Sequence, residues 1–275
     1  MTRWLKRLFL TVLLLVIGYV LVVQGLRWVA YGEEEQAAVA LMRELPPPPA
    51  GENGFKYLAY AGKEAPDDAL DAALAADIAA FSEYHARYGE ALLGDKALAP
   101  GLPDTPGANR LPDRDTMPAP DFACNFSQED CLATLQGEQA VARAWLDAEA
   151  ARLHRVEQAL AADHISNPYE LNPATPLPGY QQLRLPLNDI ALQALEGDVA
   201  GALPRACGLL ADARRHLRND GLLIDKVVFA ALAQGASDLL LRVRRLDPSQ
   251  PLPDRCGEAM APVAIEDYQI CNALR

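Results

Sequence analysis

The chain has 275 residues, of which 51% are hydrophobic, and its 37 acidic and 25 basic side chains give a formal net charge of −12 at pH 7. Four of the basic residues and none of the acidic ones lie in the first 30 residues, so the remainder carries 21 minus 37, or −16. So acidic a polypeptide repels phosphate backbones and anionic lipid headgroups, which excludes nucleic-acid binding.

A charge-free apolar run extends from Leu8 to Val23, after three basic residues and before three glutamates at 33–35. With its flanks it supplies the roughly 20 apolar residues that are needed to cross a bilayer. An excess of Lys and Arg marks the cytoplasmic side of a span. We therefore predict a cytoplasmic N-terminus (1–7), a single membrane anchor (8–30) and an extracytoplasmic remainder. A cleaved signal peptide is the alternative.

The segment 31–50 combines a helical pattern with four consecutive prolines, which predicts a juxtamembrane helix and a stiff, extended spacer. Residues 51–62 are aromatic and flanked by glycines, which favours a short extended piece. In 66–94, apolar residues recur at helical spacing behind aspartates that can cap a helix, so we predict a long helix. Residues 94–121 contain six prolines and predict a long surface loop.

Beyond this loop the pattern is helical. Ser127 and Asp130 resemble a capping box and predict the start of a long helix that ends near His164. Three further helical patterns follow a proline-rich turn, at 180–196, 198–218 and 222–246. The sequence therefore predicts an all-α domain over 51–275, built as a helix-pair bundle or a short solenoid.

All five cysteines lie in the region that we expect outside the cytoplasm, where disulfides persist. They form no C-x-x-C pair, and no histidine completes a zinc-site spacing, so neither a metal site nor a thioredoxin-like site is predicted. We expect two local bridges, Cys124–Cys131 and Cys256–Cys271. Cys207 lies within a helical pattern and is expected to be a buried free thiol.

The familiar catalytic signatures are absent from the sequence, which has no G-x-S-x-G, H-E-x-x-H, P-loop or G-x-G-x-x-G motif. We expect no metal and no cofactor. Asp225 and Lys226 are the only catalytic candidates, because Asp225 falls on an apolar helical stripe and buried charges often mark sites. A structural ion pair, or an edge position facing water, is the alternative for both.

Four segments carry a resemblance to a known family: "ENGFKYLAYAGKEAPDD", "CNFSQEDCL", "GYQQLRLPLNDIALQALEGD" and "LLIDKVV". Over roughly residues 52–246 the chain resembles an uncharacterised family of single-pass envelope proteins of proteobacteria. The resemblance implies an inner-membrane protein with a cytoplasmic N-terminus and a periplasmic C-terminal domain. It also implies that the Cys124–Cys131 pair is a recurring feature, and it transfers no activity to any residue.

The predicted anchor, spacer and helical domain, together with the lack of catalytic motifs, favour a non-enzymatic role. We expect an interaction, scaffold or inhibitor protein that is held at the membrane and binds another envelope protein. Two alternatives stay open. One is a cell-envelope hydrolase with an unrecognised carboxylate site, and the other is an immunity protein against a periplasm-acting toxin.

Overall fold

The computed structural model describes residues 18–19, 49–93, 111–115, 117–126, 130–170, 175–219 and 221–262, without the side chains of 88–93 and 258. The chain divides into two compact units, and nearly all described residues belong to the larger one, Pro48–Leu274. The expected anchor (8–30) and the expected juxtamembrane helix and spacer (31–50) lie almost wholly outside the described residues. Among the residues that are described, no helix is both long and apolar enough to span a bilayer.

The described part of the larger unit is mostly helical and contains no strand, as the all-α prediction requires. Its α-helices, in chain order, are α1 (Phe55–Ala59), α2 (Leu70–Leu93), α3 (Cys131–Leu135), α4 (Gln139–Ala148), α5 (Ala150–Ala161), α6 (Leu185–Leu195), α7 (Val199–Arg218), α8 (Leu223–Leu246) and α9 (Asp254–Met260). Short 3-10 turns, Asp67–Ala69 and Tyr180–Arg184, lead into α2 and α6.

The last three predicted helices are present as α6, α7 and α8, within a few residues of their expected ends. Gly197 separates the first two with a φ of 97°, a left-handed conformation that favours glycine. The next residue, Asp198, caps α7, because its carboxylate accepts a hydrogen bond from the backbone N–H of Gly201 at 2.9 Å. Pro204 lies in the second turn of α7.

The long helix predicted from Ser127 to His164 is wrong, because the structure divides it into α3, α4 and α5. The cap of α3 is Asp130 itself, which accepts a hydrogen bond from the backbone N–H of Ala133 at 3.0 Å, whereas the capping-box pattern predicted Ser127 in that position. Ser127 lies outside the described residues. Between α4 and α5 the helical geometry stops at Glu149, whose side chain is buried. The apolar residues recur at helical spacing through the break, so the sequence pattern could not reveal it. In the structure, Glu149 contacts Met117 of a distant loop at this point.

The short extended piece predicted at 51–62 is also wrong, since this segment contains α1. Phe55 and Leu58 of α1 are buried against the rest of the core. The helix approaches α5 so closely that a Cβ on Gly54 would lie 2.5 Å from the carbonyl oxygen of Ala159. A glycine is therefore required at this contact, where packing rather than local preference decides the conformation.

The centre of the core is the helix pair α7–α8, with α6 and α9 packed against α7. Each helix has apolar residues at helical spacing, as its sequence pattern predicted, and the tertiary structure packs these two apolar faces together. The buried side chains of the pair include Ala206, Leu210, Leu217, Phe229, Leu232 and Leu239.

Two disulfides close the fold. Cys124–Cys131 is the bridge that the sequence predicted. The second bridge joins Cys207 to Cys256, so the expected Cys256–Cys271 bridge and the expected free thiol at Cys207 are corrected; Cys271 lies outside the described residues. The bridge from Cys256 to Cys207 closes a loop of 49 residues. A bridge from Cys256 to Cys271 would close a loop of 271 minus 256, or 15, residues. The free-energy costs of closing these two loops differ by only about 1 kcal/mol, so the spacing of the cysteines could not select the partner of Cys256.

Candidate functional site

Asp225, the first catalytic candidate, is buried at the start of α8 with 4% of its surface exposed. Its carboxylate accepts a hydrogen bond from the Tyr180 hydroxyl and another, at 2.7 Å, from the backbone N–H of Leu222. Burial raises the pKa of this carboxyl, and it also raises the pKa of the Tyr180 hydroxyl. Asp225 thus caps α8 and fixes the turn that carries Tyr180.

Lys226, the second candidate, serves the neighbouring helix end. Its ammonium group donates hydrogen bonds to the carbonyl oxygen of Leu217, at 2.7 Å, and to that of Asn219. These carbonyls belong to the end of α7, where the last helical acceptors lack partners within the helix. The Asp225 and Lys226 contacts therefore both hold the turn between α7 and α8.

The end of the proline-rich loop is tied to the helices at several points. The backbone N–H of Met117 donates to Glu149 Oε1 at 2.9 Å. At Cys124 the N–H donates to Asn188 Oδ1 at 2.7 Å, and the carbonyl oxygen accepts from Asn188 Nδ2 at 3.1 Å. The Cys124–Cys131 bridge joins the same stretch to α3. The disulfide and these hydrogen bonds together hold residues 117–124 against α4–α6.

Residues 117–119 of this loop form one wall of a cleft with a volume of about 550 Å³. Trp145 of α4 and Arg152 of α5 form a second wall, and the segment 177–185 leading into α6 forms a third. Ligand-binding clefts in proteins typically have volumes of roughly 300–1,000 Å³. We treat this cleft as the candidate functional site.

Three side chains that line the cleft have a buried polar atom without a hydrogen-bond partner in the described part of the chain. These atoms are Trp145 Nε1, Arg152 Nε and Gln182 Oε1. Trp145 is 2% exposed. Buried polar atoms in proteins nearly always have a partner, but these three atoms are enclosed in the walls and offer almost no surface to a molecule in the cleft.

The charge of the cleft is opposite to that of the chain. Its described lining includes Arg152 and Arg184 and no carboxylate, although the whole chain has a net charge of −12. Arg152 lies 3.1 Å from the carboxylate of Glu149, behind the cleft wall. The guanidinium of Arg184 has no ion pair or hydrogen bond with any residue that the structure describes. An anionic ligand would therefore find an unbalanced positive charge at Arg184.

A second polar cluster is closed within the core. Asp77 of α2 is 2% exposed and accepts a hydrogen bond from the Tyr60 hydroxyl at 2.5 Å. Burial, and then the charge of Asp77, raises the pKa of the adjacent Tyr169 to about 12. Phe55 and Phe81 pack edge-on against the Tyr169 ring. With its groups bonded to one another and enclosed by aromatic rings, this cluster has a structural role. Across the described residues, no group of His, Cys, Asp and Glu could hold a metal ion.

The sequence pointed to two features that support the cleft walls and missed the residues that line the cleft. It predicted the Cys124–Cys131 bridge that fixes the loop wall, and it pointed to Asp225, which fixes Tyr180 in the third wall. It predicted no functional role for Trp145 or Arg184. Neither residue belongs to a motif, so only their spatial proximity could reveal them. A comparison of the chain with protein-family models, curated proteins and solved structures finds no match in any of the three.

Proposed function

We propose that this protein is a membrane-anchored interaction protein of the bacterial envelope, whose helical domain works in the periplasm and captures a protein partner. The observation that carries the proposal is the cleft beside Trp145. It has exposed apolar residues and a positive charge, and its walls are held by a disulfide and by buried hydrogen bonds. Rigid walls favour binding, because little conformational entropy is lost when the partner docks.

Two features support the proposed location. Disulfides persist in oxidising compartments such as the periplasm, and Cys124, Cys207 and Cys256 are fully buried members of two bridges. The charge-free run from Leu8 to Val23 has the composition of a membrane anchor. The domain would then be tethered at the membrane, where its partner is also expected.

A scaffold and an inhibitor are the two forms of this role that we consider. The hydrolase alternative requires a carboxylate that can act on a substrate. The carboxylate of Asp225 already accepts hydrogen bonds from Tyr180 and Leu222, so its contacts favour a structural function. An immunity protein would be an inhibitor with a toxin as its partner.

The test is photo-crosslinking of the full-length chain in the bacterium that encodes it. A photoreactive amino acid replaces Gln181, an exposed residue of the cleft lining, or Gln234, an exposed residue of α8 outside that lining. We expect one dominant envelope protein, identified by mass spectrometry, at position 181 and not at position 234. The same products at both positions, or none at either, would contradict the proposal. Assaying the identified partner with and without this protein then separates an inhibitor from a scaffold.

A further inference from the structure

The chemistry of the cleft indicates which part of a partner it accepts. We propose that the cleft binds the C-terminal end of an extended polypeptide, with the terminal carboxylate at Arg184 and the last, apolar side chain against Leu177 and Met117. This inference rests on the proposed function, because the chain end belongs to the captured partner.

The carboxylate is inferred from the charges around the cleft. Guanidinium groups bind carboxylates through paired, charge-assisted hydrogen bonds, which are stronger than neutral ones. Arg184 has no such partner among the described residues, whereas Arg152 is already paired with Glu149. Because the described lining contains no carboxylate, nothing in it repels an anion. Arg184 is therefore the contact that we assign to the terminal carboxylate.

The apolar part of the ligand is inferred from the rest of the lining. Leu177 and Met117 are 53% and 48% exposed, although both belong to a cleft. A ligand with an apolar side chain would cover them and remove apolar surface from water, which is favourable. The apolar lining residues are Met117, Pro118, Ala119, Trp145, Leu177, Pro178 and Leu185.

A polypeptide end is chosen over a simple organic acid because the proposed partner is a protein. A chain end supplies the carboxylate together with an apolar last side chain, and a fatty acid supplies the carboxylate with an apolar body. Binding of octanoate separates the two.

The experiment compares free and blocked chain ends. The full-length protein, purified in detergent, is immobilised and exposed to a random octapeptide library with free C-termini, and separately to the same library with amidated C-termini. Bound peptides are identified by mass spectrometry. Individual binders are then titrated against a chain with Trp4→Phe and Trp28→Phe, in which Trp145 is the one remaining of the three tryptophans and reports occupancy by its fluorescence.

Arg184→Gln is the decisive variant, and Arg218→Gln is its matched control. Arg218 is an exposed arginine of α7 outside the cleft lining, so it gives the same change of charge. We expect peptides with free, apolar C-termini to bind, with affinity lowered about tenfold or more by Arg184→Gln and unchanged by Arg218→Gln. Thermal unfolding checks that both variants fold.

Three outcomes would overturn the inference. They are equal binding of amidated peptides, equal loss of binding in both arginine variants, and binding of octanoate as tightly as the best peptide. The last would identify a free organic acid as the ligand. If crosslinking at Gln181 captures one envelope protein while no free C-terminus binds, the proposed function stands and only this inference fails.

Discussion

Asn188 is the single side chain on which the loop wall of the cleft most depends. It is fully buried in α6, and its amide bonds both backbone groups of Cys124 as well as the carbonyl oxygen of Arg184, the last at 2.8 Å. A buried amide with three partners satisfies backbone groups that water cannot reach. The loop and the 3-10 turn that carries Arg184 are therefore positioned by the same residue.

Replacing this amide should be costly. We expect Asn188→Ala to lower the free energy of unfolding by about 2–4 kcal/mol, because it leaves buried backbone groups without partners. Urea denaturation of the full-length chain measures the change. Asn219→Ala is the matched control, since it removes one exposed hydrogen bond, to the carbonyl oxygen of Asp163 at 2.8 Å, and should cost about 1 kcal/mol or less. Equal losses in the two variants would contradict the assigned role.

His216 makes the stability of the domain depend on pH. Burial in α7 lowers the pKa of its imidazole to about 4, and its Nε2 lies 2.9 Å from the carbonyl oxygen of Leu160. Between an unfolded pKa of about 6.5 and the folded value, the unfolded chain binds a proton that the folded chain does not. The contribution of the neutral His216 imidazole to stability is therefore complete above about pH 6.5, and it is lost as the pH falls towards the folded pKa.

We expect this histidine to remove up to about 3 kcal/mol of stability between pH 6.5 and pH 4. His216→Gln should flatten the pH dependence of the unfolding free energy, while His154→Gln, at an exposed position of α5, should leave it unchanged. Asp225 acts in the opposite direction, because its raised pKa favours the folded state as the pH falls. The difference between His216→Gln and the parent at each pH isolates the histidine, and a difference that does not vary with pH would refute the prediction.

At the scale of elements, α9 is held to α7 by covalent and polar contacts. Cys256 is bonded to Cys207, the carboxylate of Asp212 accepts a hydrogen bond from Arg255 at 2.7 Å, and Arg214 donates to carbonyl oxygens at the end of α9. A helix of seven residues is too short to be stable by itself in water. We infer that α9 depends on these contacts for its structure.

The double variant Cys207→Ser with Cys256→Ser should lower the free energy of unfolding by about 4 kcal/mol, as the entropy of closing a loop of this length implies. It should also make the region around Arg255 sensitive to trypsin in the otherwise folded chain. Urea denaturation and limited proteolysis measure these effects. Cys271→Ser is the control, and non-reduced peptide mapping should still find Cys207 joined to Cys256. A map joining Cys256 to Cys271 would contradict the structure.

The helices were predictable to different degrees for a physical reason. α6, α7 and α8 have a strong apolar period between clear end signals, such as Gly197 and Asp198, so local sequence defines them. At the break between α4 and α5, Glu149 accepts a hydrogen bond from the N–H of Met117, which lies 32 residues away in the chain. The helix α1 depends on the close approach of Gly54 to α5. Neither contact has a local signature.

At the scale of the whole molecule, the proposed location makes a prediction about the oxidation of the cysteines. We expect the full-length chain, alkylated in denaturant directly from cells so that buried thiols are also exposed, to have Cys124, Cys131, Cys207 and Cys256 protected from alkylation until a reductant is added. This follows from export of the domain to an oxidising compartment. Mass spectrometry of alkylated peptides measures the protection.

The matched variant blocks export. Leu14→Arg with Ile17→Arg places two charges in the expected anchor, each costing about 2.5–3.5 kcal/mol at the centre of a span. We expect this variant to stay in the cytoplasm with all its cysteines open to alkylation. The same bridges in both proteins would count against an exported domain.

The sequence by itself determined the helical class, the helices α6, α7 and α8 and the Cys124–Cys131 bridge, because these depend on residues close together in the chain. Its predictions of an anchor and of an envelope partner await experiment. Only the tertiary structure decided that Cys207 pairs with Cys256 and that Trp145, Gln182 and Arg184 share a cleft. Such groupings depend on how the helices pack. Packing brings together residues that are far apart in the chain, and the free-energy cost of closing the chain between them changes only slowly with its length.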